Sequence, residues 1–237
     1  MIFRTFFSFA LCLFFLNSTA QLDSLEHFTH RGLNNANYFA EDSYISRGSA
    51  AKKVEGNLFL NEQWQEARVL TPGNEVIVTK GRYRIFDDEM QVLNAENEVL
   101  ALYPAKVRAI AIGEQVFIPL QFRSPEGKNT VGFFQLLVEG EMDLLLRRNM
   151  ELVKSDYNPA LNIGDRNDHL EIQETYYYRY QDGNPQLLRQ SKSGVLKALG
   201  RRKKAVASFA KENQLGARKQ EDLIALFQFY NRQEAEQ

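Results

Sequence analysis

Two stretches of the sequence combine residue types that can bind a metal ion. His27 and His30 form an H-x-x-H pattern, but zinc sites use three or four ligands, and the remaining histidine lies far away in sequence. We therefore interpret the pair as solvated side chains. The stretch "GDRNDHLE" lacks the central glycine and the distal glutamate of a calcium loop, so we interpret it as a polar turn. Its possible oxygen ligands are Asp165, Asn167, Asp168 and Glu171. The sequence predicts no metal site and no cofactor.

The acidic cluster Asp87-Asp88-Glu89 is the main candidate for catalysis. Paired carboxylates can divide acid and base roles when their surroundings separate their pKa values. The cluster lies between two predicted strands, however, where acidic turn residues are expected in any case. The chain has no G-x-S-x-G motif and no glycine-rich phosphate loop. We expect that the protein is not an enzyme, and a hydrolase is the third hypothesis for its function.

A tyrosine-rich stretch, "ETYYYRYQDGNPQLLR" at residues 174–189, raises the question of an aromatic binding surface. Alternate side chains of a strand point to opposite faces, so Tyr176, Tyr178 and Tyr180 share one face. We expect these three rings to lie at the boundary of the core, with their hydroxyl groups near solvent. Tyr177 and Arg179 share the other, more polar face, and we predict that they contact a ligand or partner.

Positive charge is concentrated towards the C-terminal end of the chain. Residues 189–237 carry 11 basic and 5 acidic side chains, a formal charge of +6, whereas residues 21–188 carry 17 basic and 25 acidic, a formal charge of −8. The segment "GRRKK" supplies four further candidate binding residues, Arg201, Arg202, Lys203 and Lys204. This asymmetry indicates either an anionic partner or attraction between the two parts of the chain.

The first 20 residues predict a secretory signal peptide. Arg4 precedes an apolar run, and small residues at 18–20 suit cleavage after Ala20. Cleavage would also remove Cys12, the only cysteine, so no disulfide is expected. We therefore expect export to the periplasm, to the cell surface or out of the cell, which argues against a nucleic-acid partner. No later segment is apolar enough to span a membrane.

The rest of the chain divides into three predicted segments. Residues 21–53 are a polar leader and linker, and residues 54–190 alternate short apolar runs with turn pairs such as Gly113-Glu114 and Asp182-Gly183. This alternation predicts an antiparallel β meander, either a barrel or a sandwich. Residues 191–237 carry apolar residues at helical spacing, which predicts short amphipathic helices. The fold class is therefore α+β.

Two prolines predict where the sheet has an edge. Pro119 lies inside the apolar run "QVFIPLQF", and Pro185 begins the return strand after Asp182-Gly183. Proline cannot donate a backbone hydrogen bond, so it is confined to edges and bulges of a sheet. We expect both segments to lie at an edge or to carry a bulge.

Several pieces of the chain resemble a family of uncharacterised exported proteins of Gram-negative bacteria. The pieces are "GRYRIFDDEMQVL", "GFFQLLVEGEMDLLL", "YNPAL", the "YYYRYQDG" hairpin and the closing "EDLIALFQFYN". In that family the first piece more often carries an aromatic residue and an asparagine around the central tyrosine, where this chain has Arg82, Tyr83 and Arg84. The resemblance implies export and a β-then-α order of elements, and it implies no functional residue.

These observations favour a non-catalytic binding or interaction protein of the bacterial cell envelope. Its expected partner is an envelope protein or an anionic envelope component. A β-barrel that binds a small apolar ligand is the alternative, because the strands are rich enough in phenylalanine, leucine and valine to line a cavity.

Overall fold

The structure, a computed structural model, describes residues 54–124 and 127–232. The predicted signal peptide, the polar leader, and the histidines His27 and His30 lie outside the described residues. Within them, the predicted antiparallel β meander followed by C-terminal helices is confirmed. The protein therefore has an α+β fold.

The described strands and α-helices are numbered in chain order. The strands are β1 (Val54–Glu55), β2 (Gln65–Leu70), β3 (Val76–Arg84), β4 (Glu89–Leu93), β5 (Val99–Ala101), β6 (Ala109–Ile112), β7 (Gln115–Arg123), β8 (Asn129–Val138), β9 (Met142–Val153), β10 (Asp168–Tyr180) and β11 (Gln186–Leu187). The helices are α1 (Lys192–Ala198), α2 (Lys203–Glu212) and α3 (Gln220–Arg232).

The described residues divide into two compact units. The first unit comprises residues 54–108 and 148–174. The second unit comprises the described residues of 109–147 and 175–232. All three described helices therefore belong to the second unit, whereas β9 and β10 each contribute residues to both units.

In the first unit, β2, β3, β4 and β5 pair antiparallel in sequence order. Ala67 and Val69 alternate with more exposed residues along β2, and Val69 is paired with the buried Ile77 of β3. This period of two is the pattern of a strand with one face buried. The β2–β3 turn is closed by Asn74, whose φ of 63° suits asparagine.

In the second unit, β6, β7, β8, β9 and β10 are neighbours in that order. The predicted two-residue turn between β6 and β7 is confirmed: Ile112 pairs with Gln115, and Gly113 has a φ of 57°. Glycine adopts this left-handed conformation without a steric penalty. The predicted hairpin at Asp182-Gly183 is also confirmed, because β11 pairs with β10 through Tyr178 and Gln186.

The two prolines occupy different kinds of position in the sheet. The pairing of β6 with β7 reaches only Phe117, so Pro119 lies beyond it and pairs with Phe133 of β8. Pro185 precedes β11, which pairs with β10 alone. The edge expected at Pro185 is confirmed. The edge or bulge expected at Pro119 was wrong, because β7 lies between β6 and β8 and pairs with β8 in unbroken register.

The helices of the second unit pack on one face of its strands. The cluster that joins them contains strand residues such as Leu144 and Tyr176 together with helix residues such as Val206 and Phe227. Leu144, Val206 and Phe227 are fully buried. The apolar stripes that predicted the helices therefore form the contact with the sheet.

Candidate functional site

A groove of about 530 Å³ lies among the helices of the second unit. Its walls come from α1, α2, α3 and the segment that joins α2 to α3. The apolar lining includes Val195, Leu196, Val206, Ala210, Leu215 and Leu226. The volume is within the range of small-molecule binding sites, about 300–1,000 Å³, and the lining is of the kind that such sites use.

Four cationic side chains surround this apolar floor. Lys192 comes from the start of α1, Lys211 from the end of α2, and Arg218 and Lys219 from the segment before α3. All four residues are exposed. Among residues 54–124 and 127–232, none of the four lies within ion-pair distance of a carboxylate. Their charges are therefore available to an anion in the groove.

The other polar groups of the lining are engaged within the fold. The Ser191 hydroxyl accepts the N–H of Gly194 at 3.1 Å and so caps α1. One carboxylate oxygen of Asp222 accepts the N–H of Gly216 at 2.9 Å. The Gln190 amide donates to the carbonyl oxygen of Arg218 at 3.2 Å, which ties the segment before α3 to the start of α1. These bonds fix the shape of the groove.

Two of the predicted binding residues, Arg201 and Arg202, form ion pairs with the same buried carboxylate. Glu141, in the β8–β9 turn, accepts from Arg202 at 2.8 Å and from Arg201 at 3.4 Å, and its side chain is 4 % exposed. Arg202 also donates to the carbonyl oxygen of Tyr230 at 3.0 Å. These two arginines therefore hold the helices against the strands. Their role as ligand contacts stays a prediction.

Lys203 and Lys204, the other two cations of "GRRKK", begin α2 and are exposed. The groove lining contains neither of them. The basic patch expected from the sequence therefore has two parts. Arg201 and Arg202 pair with Glu141, whereas Lys203 and Lys204 face solvent. The cations at the rim of the groove are other residues of the C-terminal segment.

The tyrosines at 176, 178 and 180 meet the helices, as expected for the boundary of a core. Tyr176 is 6 % exposed, and its hydroxyl donates to Gln220 of α3 at 3.3 Å. The Tyr180 hydroxyl accepts from Arg201 at 2.6 Å. At Tyr176, Tyr178 and Tyr180 this face of β10 is covered by other residues of the chain, so these three rings form no free aromatic surface.

Tyr177 lies in an aromatic cluster on the opposite face of β10, where the sequence indicated a polar surface. Its ring contacts Phe134 edge to face at 5.2 Å and Phe122 at 6.3 Å. Burial raises the pKa of Tyr177, and Arg147, whose guanidinium lies over the Phe122 ring, opposes that shift. The sequence did not predict this cluster, because Phe122 and Phe134 come from strands distant in sequence. Ligand contact by Tyr177 stays a prediction.

Arg179 is bound to a buried carboxylate. Its Nε and Nη2 atoms donate to one oxygen of Asp143 at 2.8 and 2.6 Å, while the other oxygen accepts the N–H of Gly140 at 3.0 Å. Burial raises the pKa of Asp143 above its ordinary value, and the hydrogen bonds from Arg179 and Gly140 oppose that rise. Arg179 thus has a structural partner, and its contact with a ligand stays a prediction.

The acidic cluster at residues 87–89 forms the β3–β4 turn and the start of β4. The Tyr83 hydroxyl donates to Asp88 at 2.6 Å, and Arg84 lies 3.5 Å from Asp87. Burial raises the pKa of Asp87 to about 6, with Arg84 lowering it and Glu89 raising it further. Asp88 has a φ of 57°, the left-handed conformation common in tight turns. The arrangement explains the turn without a substrate.

The stretch that resembles a calcium loop uses its acidic groups within the fold. Asp168 accepts from the N–H of Ser155 at 2.8 Å and from Lys154 at 3.3 Å. Within the part of the chain that the structure describes, no three metal-binding side chains lie close enough together to hold an ion. None of the helices in the same residues is long and apolar enough to cross a membrane.

Comparisons of the chain with models of known protein families, with curated proteins and with solved structures gave no match. The groove is therefore defined by the residues of this chain alone. The sequence indicated a basic C-terminal segment but not which of its cations line a groove, because only the packing of the helices shows which cations meet. The signal was present in the small residues Ala207, Ala210 and Ala217, which leave space between the helices.

Proposed function

We propose that the protein is an exported, non-catalytic binding protein of the bacterial cell envelope and that the helical groove is its binding site. Export is supported by the signal-peptide pattern of residues 1–20 and by the resemblance to exported proteins of Gram-negative bacteria. The compartment is the periplasm, the cell surface or the exterior of the cell. The partner is an envelope protein or another anionic component of the envelope.

The observation that carries the proposal is an apolar groove bordered by four cations that have no carboxylate partner among the described residues. Burying an apolar group in the groove supplies affinity, and the cations favour a negatively charged group beside it. The hydroxyl of Ser191 and the carboxylate of Asp222 are bound to backbone N–H groups. The groove thus presents apolar surface and positive charge, which suit binding rather than bond cleavage.

A cross-link formed in intact cells tests the proposal. A photoreactive amino acid replaces Ala207, which lines the groove, and in a control chain it replaces Ala205, which is exposed on the same helix and outside the groove. We expect a reproducible cross-linked envelope component from position 207 and none from position 205. The same cells, fractionated after irradiation, show whether the product lies in the envelope.

Equal labelling from both positions would contradict a binding role for the groove, as would labelling from neither. Recovery of the chain only from the cytoplasmic fraction would contradict export. Thermal unfolding of the two chains checks that the photoreactive residue leaves the fold intact at both positions.

A further inference from the structure

We propose that the groove binds a single-chain anionic amphiphile, with one acyl chain on the apolar floor and the charged head group at the basic rim. This inference rests on the proposed function, because it assigns a ligand class to the same groove. It is carried by three features of the second unit, namely the size of the groove, the position of its cations and the absence of acidic partners for them among the described residues.

The size of the groove suits one acyl chain. A methylene group occupies about the volume of a water molecule, ~30 Å³, so a groove of about 530 Å³ has room for about eighteen of them. The groove exists because Ala207 and Ala210 of α2 face Val195 and Leu196 of α1 with short side chains. A helical peptide about 10–12 Å in diameter would fill a volume of about 530 Å³ with only about one turn of its length.

The position of the cations suits a single anionic head group. Lys192, Lys211, Arg218 and Lys219 belong to three different segments of the chain, yet all of them line one groove. Each hydrogen bond between a cation and a carboxylate or phosphate oxygen is stronger than a bond between neutral groups. One head group can therefore contact more than one of these side chains at once.

The neighbouring arginines, unlike the four groove cations, have carboxylate partners within the fold. Arg201 and Arg202 share Glu141, and Arg179 is bound to Asp143. Among the described residues, no carboxylate pairs with any of the four groove cations. Asp222, the one acidic residue of the lining, accepts the N–H of Gly216. The rim therefore keeps a net positive charge, which a ligand with a negative head group would neutralise.

Titration calorimetry with two matched lipids tests the charge requirement. Laurate carries an anionic head, whereas lauroyl glycerol carries the same chain with a neutral head, and both are used as monomers. We expect one molecule of laurate to bind per chain, at least tenfold more tightly than lauroyl glycerol. Equal affinity for the two would overturn the role of the basic rim, and no heat from either would overturn the ligand class.

Variants identify the groove as the place of binding. The double variant Lys211→Gln/Lys219→Gln should weaken laurate binding about fivefold or more and leave lauroyl glycerol unchanged. The matched control Lys203→Gln/Lys204→Gln removes two exposed cations outside the groove and should change neither. All four lysines are exposed, so these variants keep the fold. Equal effects of the two double variants would overturn the assignment.

A filling variant tests the floor independently of charge. Ala210→Phe places a ring in the groove and should abolish binding of both lipids, provided that its circular dichroism matches the unmodified protein. Persistence of laurate binding in a folded Ala210→Phe chain would contradict the proposal. A protein cross-linked from position 207 in cells, together with failure to bind laurate, would overturn the lipid assignment and leave the proposed binding function in place.

Discussion

At the scale of single residues, the second unit depends on charges that are buried and paired. The Asp143 side chain is 3 % exposed and that of Arg179 is 17 % exposed, so little water reaches either charge. A buried pair contributes little net stability compared with an apolar pair, but removing one partner leaves the other charge without compensation. The net contribution of the pair and the cost of an unpaired buried charge can be measured separately by mutating one or both residues.

Arg179→Met should lower the free energy of unfolding by about 3 kcal/mol, because Asp143 then remains buried without its cation. The double variant Asp143→Leu/Arg179→Met should recover most of that loss, since no unpaired charge remains. Urea unfolding followed by circular dichroism measures both. A double variant that is less stable than Arg179→Met would contradict this account of the pair.

Asp87 links the stability of the first unit to pH. Because its folded pKa is raised from 3.8 to about 6, protonation favours the folded state. The stabilisation is fully present below about pH 4 and is lost as pH rises through about 6. The side chain is 36 % exposed, so solvent screening reduces the effect to about 1 kcal/mol.

Asp87→Asn should therefore remove about 1 kcal/mol of pH dependence between about pH 4 and about pH 7. Chemical unfolding at several pH values measures the difference between the variant and the unmodified chain. Parallel pH profiles for Asp87→Asn and the unmodified chain would rule out this effect.

At the scale of elements, α3 is fixed to the β8–β9 turn by one asparagine. The Asn231 side chain accepts from the N–H of Met142 at 3.0 Å and donates to the carbonyl oxygen of the same residue at 3.0 Å. It also donates to the carbonyl oxygen of Glu139 at 3.4 Å. A Cβ atom at Gly140 would overlap the Asn231 side chain, so glycine permits this close approach.

Gly140→Ala and Asn231→Ala should each destabilise the protein by about 2 kcal/mol, the first through steric overlap and the second through lost hydrogen bonds. The double variant should cost less than the sum, because removing the asparagine makes room for the new methyl group. A double-mutant cycle from urea unfolding measures this coupling. Strict additivity would show that the two residues act independently. Gln228→Ala, exposed on α3, is the control.

The sequence predicts features that depend on residues close together along the chain, and it misses those that depend on residues far apart. The Gly113-Glu114 turn and the apolar stripes of the helices depend on residues close in sequence, and both were predicted. Glu141 and Arg202 are 61 residues apart, so no local pattern indicates their ion pair. The aromatic neighbours of Tyr177 and the groove depend in the same way on how distant elements pack.

At the scale of the whole molecule, charge and core both join the helical segment to strands of the second unit. Residues 189–237 have a formal charge of +6 and residues 21–188 one of −8. The ion pairs of Arg201 and Arg202 with Glu141 supply part of the attraction between these opposite charges. The larger contribution is apolar, because strand and helix residues are buried in one cluster.

A destabilising substitution in a strand should therefore also lower the stability of the helices. Leu144→Ala in β9 removes a fully buried side chain from the cluster that contains Val206 and Phe227, and it should cost about 3 kcal/mol. Far-ultraviolet circular dichroism of the helices should be lost at a correspondingly lower urea concentration. Leu187→Ala makes the same chemical change at a side chain that is 59 % exposed, and it should leave the transition unchanged. If Leu144→Ala destabilised the protein while the helical signal kept its original midpoint, the helices would be stable without the sheet, and the groove could be studied as an isolated helical fragment.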